Sequence, residues 1–328
     1  MRLDIKALVK DHRVIIITDD KVNSLYGYLF DGLDVIVIPQ GEQTKNLDTA
    51  KYVYQRLLEL GADRDCFMLG VGGGVVLDMT GFTSSTFMRG LKFAYAPTTL
   101  LAQADAAYGG KNGVNLDGTK NVIGLIKRPE FIYSEPEFLS TLDQKELRSG
   151  FAEIIKTSLL MDKDLFQYLE IEKDRILKLD KEVLEHVIKR TVKVKMDIVS
   201  SDEFELGERR KLNLGHTIGH ALESLSEGTL SHGVAVAQGV AFSTLASVKL
   251  GYLKAEDAER IDQLFWFYGI KTGEEIKKYG TNDIMDRIFN DKKRSGNSVS
   301  FVFIEAVGRV MLRPVSFREM EGLINDLR

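Results

Sequence analysis

Cys66 is the only cysteine in this chain of 328 residues, so no internal disulfide can staple the fold, and a reducing cytoplasm is the expected compartment. Proline is also scarce, at 5 residues, which leaves long helices uninterrupted. No apolar run is long enough to span a bilayer, and "MRLDIKALVKDHR" contains no apolar signal segment. Nor is there an excess of positive charge. Against 44 Lys and Arg stand 48 Asp and Glu, a formal net charge of -4, which removes any general attraction to nucleic acid or to an anionic membrane. A local cluster of Lys and Arg could still hold a small anion. Internal repeats and low-complexity stretches are absent as well. What remains is the composition of an ordinary folded protein, 44% hydrophobic and 28% charged. Its length exceeds what one core usually serves, so two domains are expected, divided as 1–138 and 139–328.

The first part alternates apolar runs with helical patterns. "RVIIITD" (13–19), "DVIVIP" (34–39), "CFMLGVGG" (66–73), "KFAYAPTT" (92–99) and "FIYS" (131–134) read as strands. Apolar strands separated by helices imply an α/β domain with a Rossmann-like parallel sheet covered on both faces. Between the second and third runs, Leu47, Ala50, Val53, Tyr54, Leu57 and Leu58 recur at helical spacing and Gly61 supplies a stop. From about residue 143 helix follows helix, which predicts an all-α second domain, with "SVSFVFIEAVGRVML" (298–312) as one late hairpin.

Two stretches of the first domain suggest a ligand. "GVGGGVVLDMTGF" sets Gly70, Gly72, Gly73 and Gly74 between a strand and a helix opening at Val75, where bare backbone can approach a phosphate. Val75 stands where the usual dinucleotide fingerprint has its third glycine, so tight-turn packing alone is the competing explanation. Asp78 lies one turn into the helix and would repel phosphate unless it faced a hydroxyl or an amide. Asp19 and the loop "PQGEQTK", with Glu42 and Lys45, lie at strand carboxyl ends, where open α/β sheets bind ligands. Further on, "MRGLKFAYAPTTLLAQADAAYGGKNGVNLDGTKNVIG" brings Arg89, Lys92, Asp105, Lys111, Asn112, Asn115, Lys120 and Asn121 among glycines and small residues. Such a loop can wrap an anionic, hydroxylated small molecule, or can simply be solvated.

"LNLGHTIGHALESLSEGTLSHG" (212–233) holds three of the 5 histidines. His216 and His220 are four apart, on one face of a helix, with Glu223 a turn further along. His232 follows at the start of the next helix. The spacing favours His216 and His220 as the metal-ligand pair, with another ligand drawn from elsewhere. "SGFAEIIKTSLL" offers Glu153 and Lys156 on an otherwise apolar helix, although a surface ion pair would have the same spacing.

Taken together, "PQGEQTK", "GVGGGVVLDMTGFTSSTFMRG", "PTTLLAQADAAYGGKNGVN", "TKNVIG", "ELRSGFAEIIK", "DEFELGERRKLNLGHTIGHALE", "HGVAVAQG" and "DKKRSG" resemble the 3-dehydroquinate synthases, in that family's order, from about residue 39 to 296. The resemblance implies an N-terminal domain that binds NAD, a helical C-terminal domain that binds a divalent metal, zinc or else cobalt, and a substrate cleft between them. The implied reaction turns 3-deoxy-D-arabino-heptulosonate 7-phosphate, a phosphorylated sugar acid, into 3-dehydroquinate and phosphate. NAD takes hydride from a substrate alcohol, phosphate is eliminated, the hydride returns, and a ring opening and intramolecular aldol step close the carbocycle. A homodimer is implied too, without nucleic-acid or membrane partners.

Carried across residue by residue, the resemblance makes Glu153, His216 and His232 the metal ligands, which replaces His220 in the pair that the spacing favours. Asp19, Glu42, Lys45, Gly73, Gly74, Asp78, Thr98, Thr99, Phe138 and Thr141 fall at NAD positions. Asp105, Lys111, Lys120, Asn121, Lys156, Lys195, Glu205, Arg209, Asn213, His220 and Lys292 fall at substrate or catalytic positions. Arg89 is expected to reach a substrate across the dimer interface. Lys111, Asn121 and Lys156 would hold phosphate, and Lys195 with Arg209 the carboxylate.

The chain departs from the family pattern around 105–115, where the family has Ser-Ser-Val before the Gly-Gly pair and Thr after the lysine. Tyr108 and Asn112 are therefore expected to line the cleft differently. Lys21 stands two residues after Asp19, where a small or amide residue is usual, and less chain precedes the first strand than the family generally carries. The alternatives are another sugar-phosphate cyclase, a polyol dehydrogenase, which would reduce NAD on balance, and an NAD-binding regulator without activity.

Overall fold

Four of the five apolar runs form strands. β1 (Val14–Asp19), β2 (Asp34–Ile38), β3 (Phe67–Gly72) and β4 (Lys92–Pro97) make one parallel sheet in the order β2-β1-β3-β4. This computed structural model describes residues 5–9, 12–202, 207–292 and 298–327. The chain divides into two compact units, Met1–Thr141 and Leu142–Arg328.

In the first unit every residue of β1 and β3 is buried, because these inner strands are covered on both faces. Their side chains alternate between two cores. Ile15, Ile17, Met68, Phe93 and Tyr95 meet α3 (Leu47–Glu59) and α4 (Gly74–Thr86). Ile16, Phe67, Leu69 and Ala94 meet Ile5 of α1 (Ile5–Leu8), Val22 and Tyr26 of α2 (Asp20–Tyr26), and Phe138. In α3 only part of the predicted stripe faces the core. Ala50, Val53 and Leu57 are buried, whereas Leu58 is 63% exposed and Leu47 39% exposed, since each lies at the edge of a stripe too wide for one contact.

The fifth apolar run, 131–134, is not a strand. Flanked by Pro129 and Pro136, it makes a single bridge from Ile132 to Tyr95 on the free edge of β4. The glycine- and lysine-rich segment read as a loop is instead a hairpin, with β5 (Lys111–Leu116) antiparallel to β6 (Thr119–Ile126). Asp117 and Gly118, at φ 47° and 78°, form its left-handed turn, as expected for an Asp-Gly pair.

The second unit is built of helices α5 (Gln144–Met161), α6 (Lys163–Ile171), α7 (Lys173–Leu177), α8 (Lys181–Ser201), α9 (His216–Leu225), α10 (His232–Lys249), α11 (Ala255–Phe267), α12 (Thr281–Lys292) and α13 (Phe317–Leu327). It is not all-α: β7 (Ser298–Ala306) and β8 (Arg309–Ser316) form the expected hairpin, whose inner residues Val299, Phe301, Phe303 and Val315 share a core with α9, α10, α12 and α13. Helix α5 is buried without a break from Ser149 to Leu160. Among the described residues no helix is long and apolar enough to cross a membrane.

Two glycines set the spacing of α5, α9 and α10. A Cβ on Gly233 would lie 2.1 Å from the Ser149 carbonyl oxygen, and one on Gly239 would lie 1.8 Å from that of Gly215. Backbone therefore meets backbone at both crossings, and the Gly233 N–H donates to Ser149 Oγ at 3.0 Å.

Candidate active site

In the first unit, β3 runs straight into Gly73, the N-cap of α4, so the unpaired N–H groups of the helix's first turn open at the carboxyl end of the sheet. The helix begins at Gly74, one residue before the expected Val75. The Thr98 N–H donates to the Gly72 carbonyl at 2.9 Å and ties the end of β4 to this turn. Thr99 Oγ1 accepts from the Ala102 N–H and starts the next segment, where Asp105 lies in a π-helical turn, Ala102–Ala106. A Cβ on Gly74 would meet only Ala106, at 3.7 Å, which leaves room for a ligand over the turn.

Beside the turn is a polar cluster. Lys45, 5% exposed, pairs with Asp78 and donates to Asn121 Oδ1 at 2.5 Å. Asn115 donates to Glu42 Oε1 at 2.9 Å and accepts from the Asn121 N–H at 2.8 Å. Asp78 thus faces a cation and has a reason to be there. Burial pushes its carboxyl above the ordinary carboxylate range, and Lys45 opposes that rise. Asn121, at φ 53°, is the pivot that joins the hairpin to the loop after β2.

The remaining first-unit candidates are more dispersed. Asp19 is the N-cap of α2, accepting from the Val22 N–H at 2.8 Å, and its carboxyl is likewise raised by burial. Phe138 is fully buried, edge-on to Tyr26 at 5.0 Å, and the Tyr26 hydroxyl bonds Thr141 Oγ1 at 2.6 Å. Lys111 and Lys120 are exposed at the starts of the two hairpin strands. Arg89 is exposed at φ 70°, next to Met88 at φ 49°.

Asn112 does not line a cleft. It is 3% exposed, accepts from the Tyr95 hydroxyl at 2.5 Å, and donates to the Gly110 and Lys127 carbonyls, both at 2.9 Å. Every polar atom of its amide is engaged inside the neck of the hairpin. Tyr108 is partly buried against the same core, and burial raises its hydroxyl's pKa.

In the second unit, α5 supplies Glu153, α9 supplies His216 and His220, and α10 begins with His232. One ligand atom from each of the three imidazoles lies within 4.8 Å of the others. Glu153 Oε1 lies 3.8 Å from His216 Nε2 and 3.6 Å from His232 Nε2, buried and without a hydrogen bond. Lys156 Nζ holds the other oxygen at 2.5 Å, so this is a buried ion pair and not a surface one. The second nitrogens of two rings are also fixed: His216 Nδ1 is 3.1 Å from the Leu214 carbonyl, and His232 Nδ1 is 3.2 Å from Glu223 Oε2.

Charge follows from that placement. Burial, the Lys156 ammonium and the other two imidazoles hold His216 well below the ordinary imidazole range, so it keeps a lone pair at neutral pH. For His232 burial acts the same way, but the bond to Glu223 and the charge of Glu153 outweigh it and the net shift is upward. A buried acceptor oxygen without a hydrogen bond, beside two imidazole nitrogens, is a donor set suited to a divalent cation.

Lys195 is buried in α8, and Arg209, 2% exposed, lies with Asn213 in the 3-10 turn Glu208–Asn213, which packs against α5 and α8. Glu205 lies outside the described residues, as does the side chain of Lys292 at the end of α12. Glu223, noticed in the sequence only as a neighbour on the helix face, and the Leu214 carbonyl emerge as the outer partners of the rings. The two close glycine contacts left no signal beyond the letters themselves.

An α/β unit with a glycine turn after its third strand, followed in the same chain by a helical unit with a carboxylate and three imidazoles, is an arrangement similar to that of solved sugar-phosphate cyclases. ValA, the 2-epi-5-epi-valiolone synthase of Streptomyces hygroscopicus with NAD+ and Zn2+ bound, superposes with a TM-score of 0.89 at 25% identity, covering 98% of this chain and 92% of that one. A 2-deoxy-scyllo-inosose synthase complexed with carbaglucose-6-phosphate, NAD+ and Co2+ gives 0.84 at 24% identity, over 99% and 94% of the two chains, and supports the fold alone.

Within that class the sequence is specific. Residues 35–149 match the family described as 3-dehydroquinate synthase N-terminal, and residues 150–294 match 3-dehydroquinate synthase C-terminal. The chain belongs to the 3-dehydroquinate synthase family. It is 37% identical to the 3-dehydroquinate synthase of Acetivibrio thermocellus, over 88% of this chain and 82% of that one. It is 39% identical to that of Thermoanaerobacter sp. strain X514, over 97% and 91%.

Proposed function

We infer that this chain is a 3-dehydroquinate synthase, a lyase that converts 3-deoxy-D-arabino-heptulosonate 7-phosphate to 3-dehydroquinate and phosphate. The observation that carries the reading is Glu153 Oε1, a buried oxygen without a hydrogen bond that faces two imidazole nitrogens in a chain of this family. Glu153, His216 and His232 would hold a divalent metal, zinc or cobalt, and the Gly73–Gly74 turn with Asp19, Glu42, Lys45, Asp78, Thr98, Thr99, Phe138 and Thr141 would hold NAD. Bound there, NAD supplies a hydride acceptor that is regenerated and the metal supplies Lewis acidity.

The chain's own groups do the rest. Lys156 keeps the Glu153 carboxylate turned so that one oxygen remains open to the imidazoles. Lys111, Lys156 and Asn121 would bind the phosphate, and Lys195 and Arg209 the carboxylate, where a guanidinium matches its planar fork, with Lys120 and Asp105 as further substrate or catalytic residues. Asn213, His220, Glu205 and Lys292 complete the set, and Arg89 acts across a homodimer interface in the cytoplasm. Residues 1–138 form the NAD-binding domain and 139–328 the metal- and substrate-binding domain.

The test is phosphate release from the heptulosonate phosphate with catalytic NAD and zinc, with NADH absorbance followed in the same sample. Many turnovers of phosphate without accumulating NADH support the reading. NADH that accumulates with simple polyols makes the chain a dehydrogenase and overturns it.

A further inference from the structure

We propose that Glu223 is a positioning residue for the metal, acting through His232. The proposal rests on the metal reading above and adds a residue to it. Glu223 lies on the same face of α9 as His216 and His220, at i+7 and i+3. Its Oε2 is 3.2 Å from His232 Nδ1, while His232 Nε2 points at Glu153 Oε1. The two carboxylates therefore flank one imidazole from opposite edges, Glu153 on the ligand side and Glu223 behind.

His232 needs such a partner more than His216 does. His216, the first residue of α9, has its Nδ1 fixed by the Leu214 carbonyl two residues back. His232 is the first residue of α10, and its side chain is 37% exposed, against 16% for His216. Nothing in the backbone before it fixes the ring. Glu223 is itself held: its side chain is only 12% exposed, and α9 is closed just beyond it by Ser226, whose hydroxyl donates to the Glu223 carbonyl and accepts from the Leu230 N–H across the loop that leads to His232. A carboxylate on Nδ1–H sets the tautomer, leaves the lone pair on Nε2 and makes that nitrogen more basic. Loss of such an outer partner typically weakens metal binding by roughly 10- to 100-fold.

The experiment is zinc binding to the full-length protein in graded free-zinc buffers, for wild type, Glu223→Ala, Glu223→Gln and His232→Ala, with the thermal midpoint of each metal-free protein as control. Glu223→Ala is expected to lose about 10- to 100-fold in affinity while its metal-free midpoint stays near that of wild type. Glu223→Gln, which keeps an acceptor for Nδ1–H, is expected to fall between it and wild type, and it carries the test alone should the alanine variant fail to fold. Wild-type affinity in both variants overturns the proposal. So does a loss in Glu223→Ala as complete as that in His232→Ala, which would make Glu223 a ligand. Absence of zinc binding in the wild type would instead defeat the metal reading beneath it.

Discussion

At the scale of single residues, Glu153 and the imidazoles decide the chemistry. A carboxylate 1% exposed is costly to leave half satisfied, and side chains from three separate helices converge on it. His232→Ala is expected to abolish metal binding and turnover while leaving NAD affinity unchanged; metal content equal to wild type would remove His232 from the ligand set. His220→Ala is expected to retain metal and turn over slowly, measured by zinc content beside phosphate release. The pair of results separates spacing from family, because spacing on one helix could show only that His216 and His220 share a face. Glu153 and His232 sit on other helices, and no periodicity within a segment reports a contact between segments. The same reason hid Tyr95 beneath Asn112, 17 residues away.

Asp162 illustrates the titrating groups outside the site. It caps α6 through the Leu165 N–H and takes two hydrogen bonds from Arg190 of α8, at 2.6 and 2.8 Å. Burial raises its pKa, but the Arg190 bonds and the cap outweigh that, so the folded value lies below the unfolded one. Such a group stabilises the fold above its unfolded pKa of about 4, and the contribution disappears as pH falls through the folded value. Asp162→Asn, which keeps a capping side chain, is expected to cost about 1–3 kcal/mol at pH 7 by urea unfolding, with the difference from wild type shrinking as pH falls from about 4 through the folded value. A gap that persists at low pH would show that charge is not the cause.

Among the elements, the apolar strands were legible because burial on both faces demands near-continuous apolar residues, and β1 and β3 meet that demand at every position. The run at 131–134 met the composition but lay between prolines at an edge. The β5–β6 hairpin was obscured by its glycines and lysines, although its Asp-Gly turn is a strong local signal. Helix spacing in the second unit depends on contacts that only coordinates reveal. Gly239→Ala is expected to be severe, lowering stability by more than about 3 kcal/mol in urea unfolding, because the new methyl meets the Gly215 backbone rather than a side chain that can turn away. Gly233→Ala is expected to shift α10 along α5 and weaken zinc binding; undiminished affinity would show that His232 does not depend on that crossing.

For the whole molecule, the net charge of -4 offers no general attraction to an anion, so holding the proposed anionic substrate falls to local Lys and Arg side chains. The proposed dimer has a direct test, since a site completed by the partner's Arg89 would draw that arginine and its Lys195 from two different chains. Equal amounts of Arg89→Ala and Lys195→Ala, mixed and allowed to exchange subunits, are expected to regain about a quarter of wild-type activity, because half the dimers are mixed and each then owns one intact site. No recovery, with exchange demonstrated, would confine Arg89 to its own subunit.

The backbone contacts at Gly233 and Gly239 also bear on how the protein would tolerate losing the proposed metal ion. Because peptide against peptide fixes the separation of α5 and α10, the donor cage does not need the cation as a strut. Chelation should strip the protein without melting it, and added zinc should restore turnover as quickly as the ion diffuses in, with no refolding delay. On that expectation the site is a socket formed in advance and not a clasp that closes around its contents.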